Sequence, residues 1–156
     1  MALTEQGKEY VKKELDRYES RLSAIIPALY KVQEEKGWIA KEDIEELSRV
    51  MDLPASAIQE VATFYTMFNK KPTGKYHIQV CCNVTCAMKK GRELTDYILK
   101  KLDLEEGEVS NDGLFTVSRV ECLGSCDTAP VLQVNFDYHE NLDEKKVDLL
   151  LDQLRK

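Results

Sequence analysis

All five cysteines of this 156-residue chain lie between Cys81 and Cys126, and that confinement restricts the fold more than any other feature. An odd number of thiols in a chain without an export signal makes a poor disulfide framework. Cysteines that merely fill a core scatter along a chain, and these do not. Four of them fall at the ends of two short groups. Cys81-Cys82-Asn83-Val84-Thr85-Cys86 leaves four residues between its outer thiols, and Cys122-Leu123-Gly124-Ser125-Cys126 leaves three. Each group follows directly on a stretch that reads as a β-strand. Strands ending on one edge of a sheet bring their loops together, so both groups can meet at one site.

The surrounding patterns say what carries these loops. Tyr76 to Cys81 reads as a strand. Gly91 to Leu102 is helical, with Leu94, Tyr97, Ile98 and Leu102 on one face. Asn111-Asp112-Gly113 is a turn, Leu114 to Glu121 and Val131 to Asn135 are strands, and Phe136 to Leu142 is a shorter strand or turn. Asp143 caps a last helix with Val147, Leu150, Leu151 and Leu154 at i, i+3, i+4 and i+7. A small sheet with helices packed on it fits this order.

The first seventy residues read as helices only. Val11, Leu15, Tyr18 and Leu22 stand at helical spacing. A second helix starts near Ser23 with Pro27 in its first turn, carries Ile25, Leu29 and Val32 inward, and stops at Lys36-Gly37, with Trp38 folding back onto its end. Glu42 to Met51 forms a third, with Ile44 and Leu47 inward. A fourth runs from Pro54 to about Phe68. The polar break Asn69-Lys70-Lys71-Pro72-Thr73-Gly74 divides the chain. The expected fold class is α+β: a helical bundle over residues 1–74, then a sheet domain over 75–156.

Two pairs of thiolates suit a [2Fe–2S] cluster, in which each iron takes two protein ligands besides the bridging sulfides. Loops of small residues supply backbone N–H donors to the sulfurs, Gly124 permits a positive φ or a close backbone approach, and Leu123, Val84 and Met88 can shield such a site from water. On spacing alone, structural zinc stays open as an alternative, because its ligand pairs lie two to four residues apart. A thiol–disulfide enzyme wants Cys-x-x-Cys, which is missing. Cys82 points away from Cys81 on a strand end and reads as a small core residue. His77 and His139 are the only histidines. Neither sits in a cysteine loop as a Rieske centre requires.

Several stretches together resemble a known family. Pro27-Ala28-Leu29, Val32 to Ile39 (VQEEKGWI), Val61 to Phe68 (VATFYTMF), Asp112-Gly113-Leu114-Phe115 and Ala129-Pro130-Val131 accompany the two cysteine groups. The combination resembles the thioredoxin-like [2Fe–2S] ferredoxin subunit of respiratory complex I. That family extends to multimeric, including electron-bifurcating, [FeFe]-hydrogenases and NAD-dependent formate dehydrogenases. The resemblance spans nearly the whole chain and favours iron–sulfur over zinc. It implies a thioredoxin-like C-terminal domain behind an N-terminal helical bundle, and one [2Fe–2S] cluster per chain on Cys81, Cys86, Cys122 and Cys126. The implied partners are a flavoprotein subunit that binds FMN and NAD(H) and further iron–sulfur subunits. Cys82 departs from the commonest pattern, where a small polar residue stands.

Composition narrows the remaining classes. The net charge of -6 opposes bulk binding to nucleic acid or an anionic membrane. No apolar run nears the roughly 18 residues of a membrane span, and no basic–apolar leader opens the chain, so a cytoplasmic location is expected. Lys41 to Phe68 has the outline of a helix-turn-helix, but Pro54 to Asn69 holds no Lys or Arg and contains Glu60. A face of Ile58, Val61, Phe64, Tyr65 and Phe68 packs on protein rather than on phosphates. No nucleophile triad, phosphate loop or dinucleotide fingerprint is present. The expected role is electron transfer within a larger oxidoreductase, without catalysis by the chain alone, and a free-standing [2Fe–2S] ferredoxin stays open as the alternative.

Overall fold

The structure is a computed structural model that describes residues 3–156. It comprises two compact units, Met1–Pro72 and Thr73–Lys156, so the division falls inside the polar break. The four-stranded sheet lies in the second unit, which follows the N-terminal helices along the chain. This is the α+β arrangement expected from the change in periodicity.

In the first unit, α1 (Glu5–Arg17) begins where the Thr4 hydroxyl accepts the Gly7 N–H at 3.0 Å, an N-cap of the usual kind. α2 (Ile25–Lys36), α3 (Lys41–Met51) and α4 (Ala55–Phe64) follow. Their inward stripes, Ile25, Leu29 and Val32, then Leu47 and Met51, then Ile58 and Ala62, join Val11 in one core. The Asp43 carboxylate is buried between the Lys36 ammonium and the Ala40 N–H, which donates to it at 2.8 Å. Both of its oxygens are thereby satisfied, as burial of a charge requires.

Two helices are shorter than the apolar spacing suggests. α1 ends at Arg17, and Tyr18 and Leu22 are exposed rather than inward. A 3₁₀ turn over Arg21–Ala24 breaks the helical phase there. α4 ends at Phe64, not near Phe68. Thr63 turns its hydroxyl back onto the Gln59 and Glu60 carbonyls at 2.8 and 3.1 Å, a contact that competes with continuing the helix. Phe68 still reaches the core. The Gln33 side chain holds the segment after α4 in place, donating to the Met67 carbonyl at 2.8 Å and accepting the Asn69 N–H at 2.6 Å. Phe64 is 78% exposed, so the face proposed for this helix is not continuous. After α2, it is Ile39 that enters the core, while Trp38 stays half-buried.

The second unit has strand order β2-β1-β3-β4, formed by β1 (Tyr76–Cys81), β2 (Phe115–Val120), β3 (Leu132–Val134) and β4 (Asp137–His139). β1 and β2 run parallel, with Tyr76 opposite Phe115 and Cys81 opposite Val120. β3 is antiparallel to β1, with Val80 opposite Leu132, and β4 is antiparallel to β3. α5 (Val84–Met88), α6 (Gly91–Leu102) and α7 (Glu144–Leu154) complete the unit. Ile78, Val80, Phe115, Val117, Leu132 and Val134 from the sheet meet Leu94 and Ile98 of α6 and Val147 and Leu151 of α7. Asp143 caps α7 by accepting the Lys146 N–H at 2.8 Å. The Tyr97 hydroxyl of α6 donates to Asp148 of α7 at 2.7 Å. Among the described residues, no helix is long and apolar enough to cross a membrane.

Candidate metal centre

The parallel register decides where the cysteines go. Cys81 and Val120 are partners at the final rung of the β1–β2 ladder, and the Cys82 N–H donates to the Val120 carbonyl at 2.9 Å. Cys122 therefore leaves the sheet at the same edge as Cys81. β3 runs the other way, so its start lies at that edge too: the Cys81 N–H donates to the Val131 carbonyl at 3.1 Å. The end of β1, the end of β2 and the start of β3 thus converge.

The first pair is built into regular structure. Cys81 closes β1 and Cys86 sits on α5, whose start is capped by Asn83. The Asn83 side-chain oxygen accepts the Val84 N–H at 2.7 Å. Both thiols are buried, Cys81 at 3% exposure and Cys86 at 1%. They share a small apolar group with Val131, against which Leu123 of the second loop and Ala129 pack. Gly91 makes this possible. A Cβ there would stand 2.8 Å from the Cys81 carbonyl oxygen and 2.9 Å from that of Cys86, and those backbone atoms have little room to move.

The second pair lies outside strands and α-helices: Cys122 is in a loop and Cys126 opens a 3₁₀ turn, Cys126–Thr128. Cys122 and Cys126 are both exposed. Gly124 turns the loop at φ 74°, with open space around the position a Cβ would take. The requirement there is the left-handed backbone and not close approach. The Gly124 N–H donates to the Cys122 sulfur at 3.3 Å, a backbone donor of the kind an anionic sulfur site requires.

Burial pushes the Cys86 thiol up to about 11, and the Cys81 sulfur beside it adds to the rise. Cys126 lies close enough to act on Cys86 in the same direction. Metal binding at such thiols would deprotonate them outright. Among the described residues, no three His, Cys, Asp or Glu side chains, the four candidate cysteines included, come together closely enough to hold a metal ion. The donor set suits a binuclear cluster, which takes its thiolates in pairs, one pair to each iron.

Other residues fall differently. Cys82 turns toward α6, its sulfur 3.6 Å from the Thr95 hydroxyl, and burial raises its thiol. The His77 ring is 2.8 Å from the Ser118 hydroxyl across the β1–β2 pair, and His139 is half-buried on β4. Val84 and Met88 do not shield the site within this chain: they are 68% and 81% exposed. They are one helical turn apart on α5 and face outward, because Cys86 occupies the inner face. Gly91 and the capping Asn83 were missed. An Asn followed by a short apolar run was the available signal for α5.

The fold and its thiol pairs define an iron–sulfur protein. The sequence pattern of the thioredoxin-like [2Fe-2S] ferredoxins matches residues 11–155, and the chain belongs to that family, whose cofactor is a [2Fe–2S] cluster. It is 42% identical to NADH-quinone oxidoreductase subunit 2 of Thermus thermophilus, over 99% of this chain and 87% of that protein. It is also 42% identical to a subunit of an NADH-quinone oxidoreductase of Rhizobium meliloti, over 89% of this chain and 83% of that protein. Among solved structures, an NAD+-reducing [NiFe]-hydrogenase in the H2-reduced state has a chain of the same fold, with TM-score 0.73 and 23% identity. The match covers 84% of this chain and 22% of that one.

Proposed function

We propose that this chain passes single electrons through a [2Fe–2S] cluster held by Cys81, Cys86, Cys122 and Cys126. The exchange runs between an FMN- and NAD(H)-binding flavoprotein subunit and further iron–sulfur subunits of an NAD(P)-linked oxidoreductase. The observation that carries the ligand assignment is the β1–β2 register, which delivers both cysteine loops to one sheet edge, with Leu123 of the second loop packed on the first thiol pair. The similarity to NADH-quinone oxidoreductase subunits supports the multisubunit setting.

The division of labour follows the two units. Residues 75–156 hold the cluster, and residues 1–74 chiefly dock the chain to its flavoprotein partner, in the cytoplasm. When bound, the cluster supplies a one-electron redox couple. The chain's own part is to fix the thiolates, to aim the Gly124 N–H at the Cys122 sulfur, and to close the inner side with Leu123 and Val131. The exposed side, with Cys122, Cys126, Val84 and Met88, is the approach by which electrons enter or leave.

Anaerobically purified protein should contain about two irons and two acid-labile sulfides per chain and give an EPR signal from one unpaired electron on reduction. Colourless protein with stoichiometric zinc, even after reconstitution with iron and sulfide, would overturn the proposal.

A further inference from the structure

The second thiol pair has no strand or α-helix to hold it, only the 3₁₀ turn Cys126–Thr128 that Cys126 opens, yet its loop is tied down at several points by the segment that begins with β4. The Tyr138 hydroxyl donates to the Leu123 carbonyl at 2.9 Å. The Ser125 hydroxyl donates to the Glu140 carboxylate. The Thr128 hydroxyl donates to the same carboxylate oxygen at 2.7 Å and lies 2.8 Å from the Ser125 hydroxyl. The Asn141 N–H closes the arrangement on the Thr128 carbonyl at 2.7 Å. Tyr138 lies on β4 and Glu140 follows directly on its end, and the two reach one loop together. Ser125 and Cys126 are adjacent, and Leu123 packs on Cys81 and Cys86. Fixing these two residues therefore fixes the second pair against the first.

We infer that Tyr138 and Glu140 are positioning residues for the cluster: Tyr138 and the Glu140 carboxylate hold the Cys122–Cys126 loop, and the Glu140 charge sets the potential of that end of the site. The inference rests on the ligand assignment proposed above. A mere surface contact would not join two loop hydroxyls to a single carboxylate oxygen. Glu140 accepts only, and both hydroxyls find in it the acceptor they need. A fixed negative charge beside a centre that becomes more negative on reduction favours the oxidised form.

The test compares the parent chain with Glu140→Ala, Glu140→Gln and Tyr138→Phe, each full-length and carrying reconstituted iron and sulfide. The readouts are the EPR g-values of the reduced cluster, its midpoint potential and the rate at which an iron chelator strips it. Glu140→Ala should shift the g-values and speed stripping severalfold. Glu140→Gln keeps an acceptor for both hydroxyls. It should restore the parent's g-values and stripping rate while its midpoint stays displaced to less negative values. Tyr138→Phe should speed stripping by less than Glu140→Ala. Unchanged g-values, midpoint and stripping rate in Glu140→Ala would overturn the inference. So would a loss of thermal stability with spectrum and midpoint untouched. If Glu140→Ala does not fold, an unmoved midpoint in Glu140→Gln with unmoved stripping in Tyr138→Phe overturns it equally. Failure of the ligand assignment looks different: Cys122→Ser and Cys126→Ser would then keep the parent's EPR spectrum.

Discussion

The two cysteine loops reach the same sheet edge by opposite means. Cys81 and Cys86 are fixed by the core, one as the last residue of a central strand and the other on the inner face of a short helix, and both are buried. Cys122 and Cys126 stand exposed in a loop and a 3₁₀ turn, held by hydrogen bonds from β4 and the residue after it and by the left-handed turn at Gly124. One pair is placed by packing, which tolerates little change. The other is placed by a few polar contacts open to solvent, each worth less. The contrast teaches that the sheet anchors one side of the site while its exposed side stays available to a neighbour.

The largest expected effect tests whether the pairs act together. Cys86→Ser and Cys126→Ser should each lose or severely perturb the cluster, because serine replaces a thiolate poorly at iron. Cys82→Ser should keep it. Iron and sulfide analysis checks all three, and a cluster that survives Cys81→Ser but not Cys82→Ser would shift the ligand set by one residue.

Gly91→Ala comes next and should separate packing from turn geometry. Its methyl group meets the Cys81 and Cys86 carbonyls. Overpacking of this kind costs about 1–3 kcal/mol, read as a lower urea midpoint, with reduced iron occupancy. Gly124→Ala has open space and carries only the left-handed backbone cost of about 1–2 kcal/mol. It should move stability less than Gly91→Ala while still altering the EPR line shape. Equal losses in the two would erase the distinction between a packed pair and a tethered one.

The smallest effect concerns the strand under the first pair. Burial lowers the His77 pKa, so the unfolded chain binds the proton more readily than the folded one. Stability should therefore rise with pH through about 6.5, the ordinary histidine value, and fall on acidification below it. Urea midpoints at pH 7 and pH 5.5 should differ more in the parent than in His77→Asn. An identical pH response in both proteins would remove His77 as the cause.

Much of this was legible because the responsible signals are local. Tyr76 to Cys81 and Gly91 to Leu102 have the observed bounds, since apolar spacing, Gly91 and the cysteine loop mark their ends. The Asp143 cap was equally plain. The sites of failure share a cause. Leu22 has helical spacing but follows a break in phase, and Phe68 is buried by Gln33, more than thirty residues away along the chain. α5 is a single short turn, over which no periodicity can be measured. The exposure of Val84 and Met88 depends on which face Cys86 takes, and the role of Gly91 depends on two carbonyls brought to it by the fold. The candidate ligands were readable from spacing and family resemblance. The straps from β4 were not, because Tyr138 and Glu140 carry no motif.

The parallel pairing of β1 and β2 also bears on how the chain is made. Parallel neighbours need a long crossover between them, and here α5 and α6 lie in it. Cys86 and Cys122 are consequently 36 positions apart (122 − 86) in the chain. At about 5–20 residues per second of synthesis, the first two thiols wait some seconds for the second two. Val131, which lids Cys86, arrives later still. On the proposed ligand assignment, a nascent chain at that moment offers a cluster only two of its four sulfurs, so loading is expected to follow synthesis of the last strands.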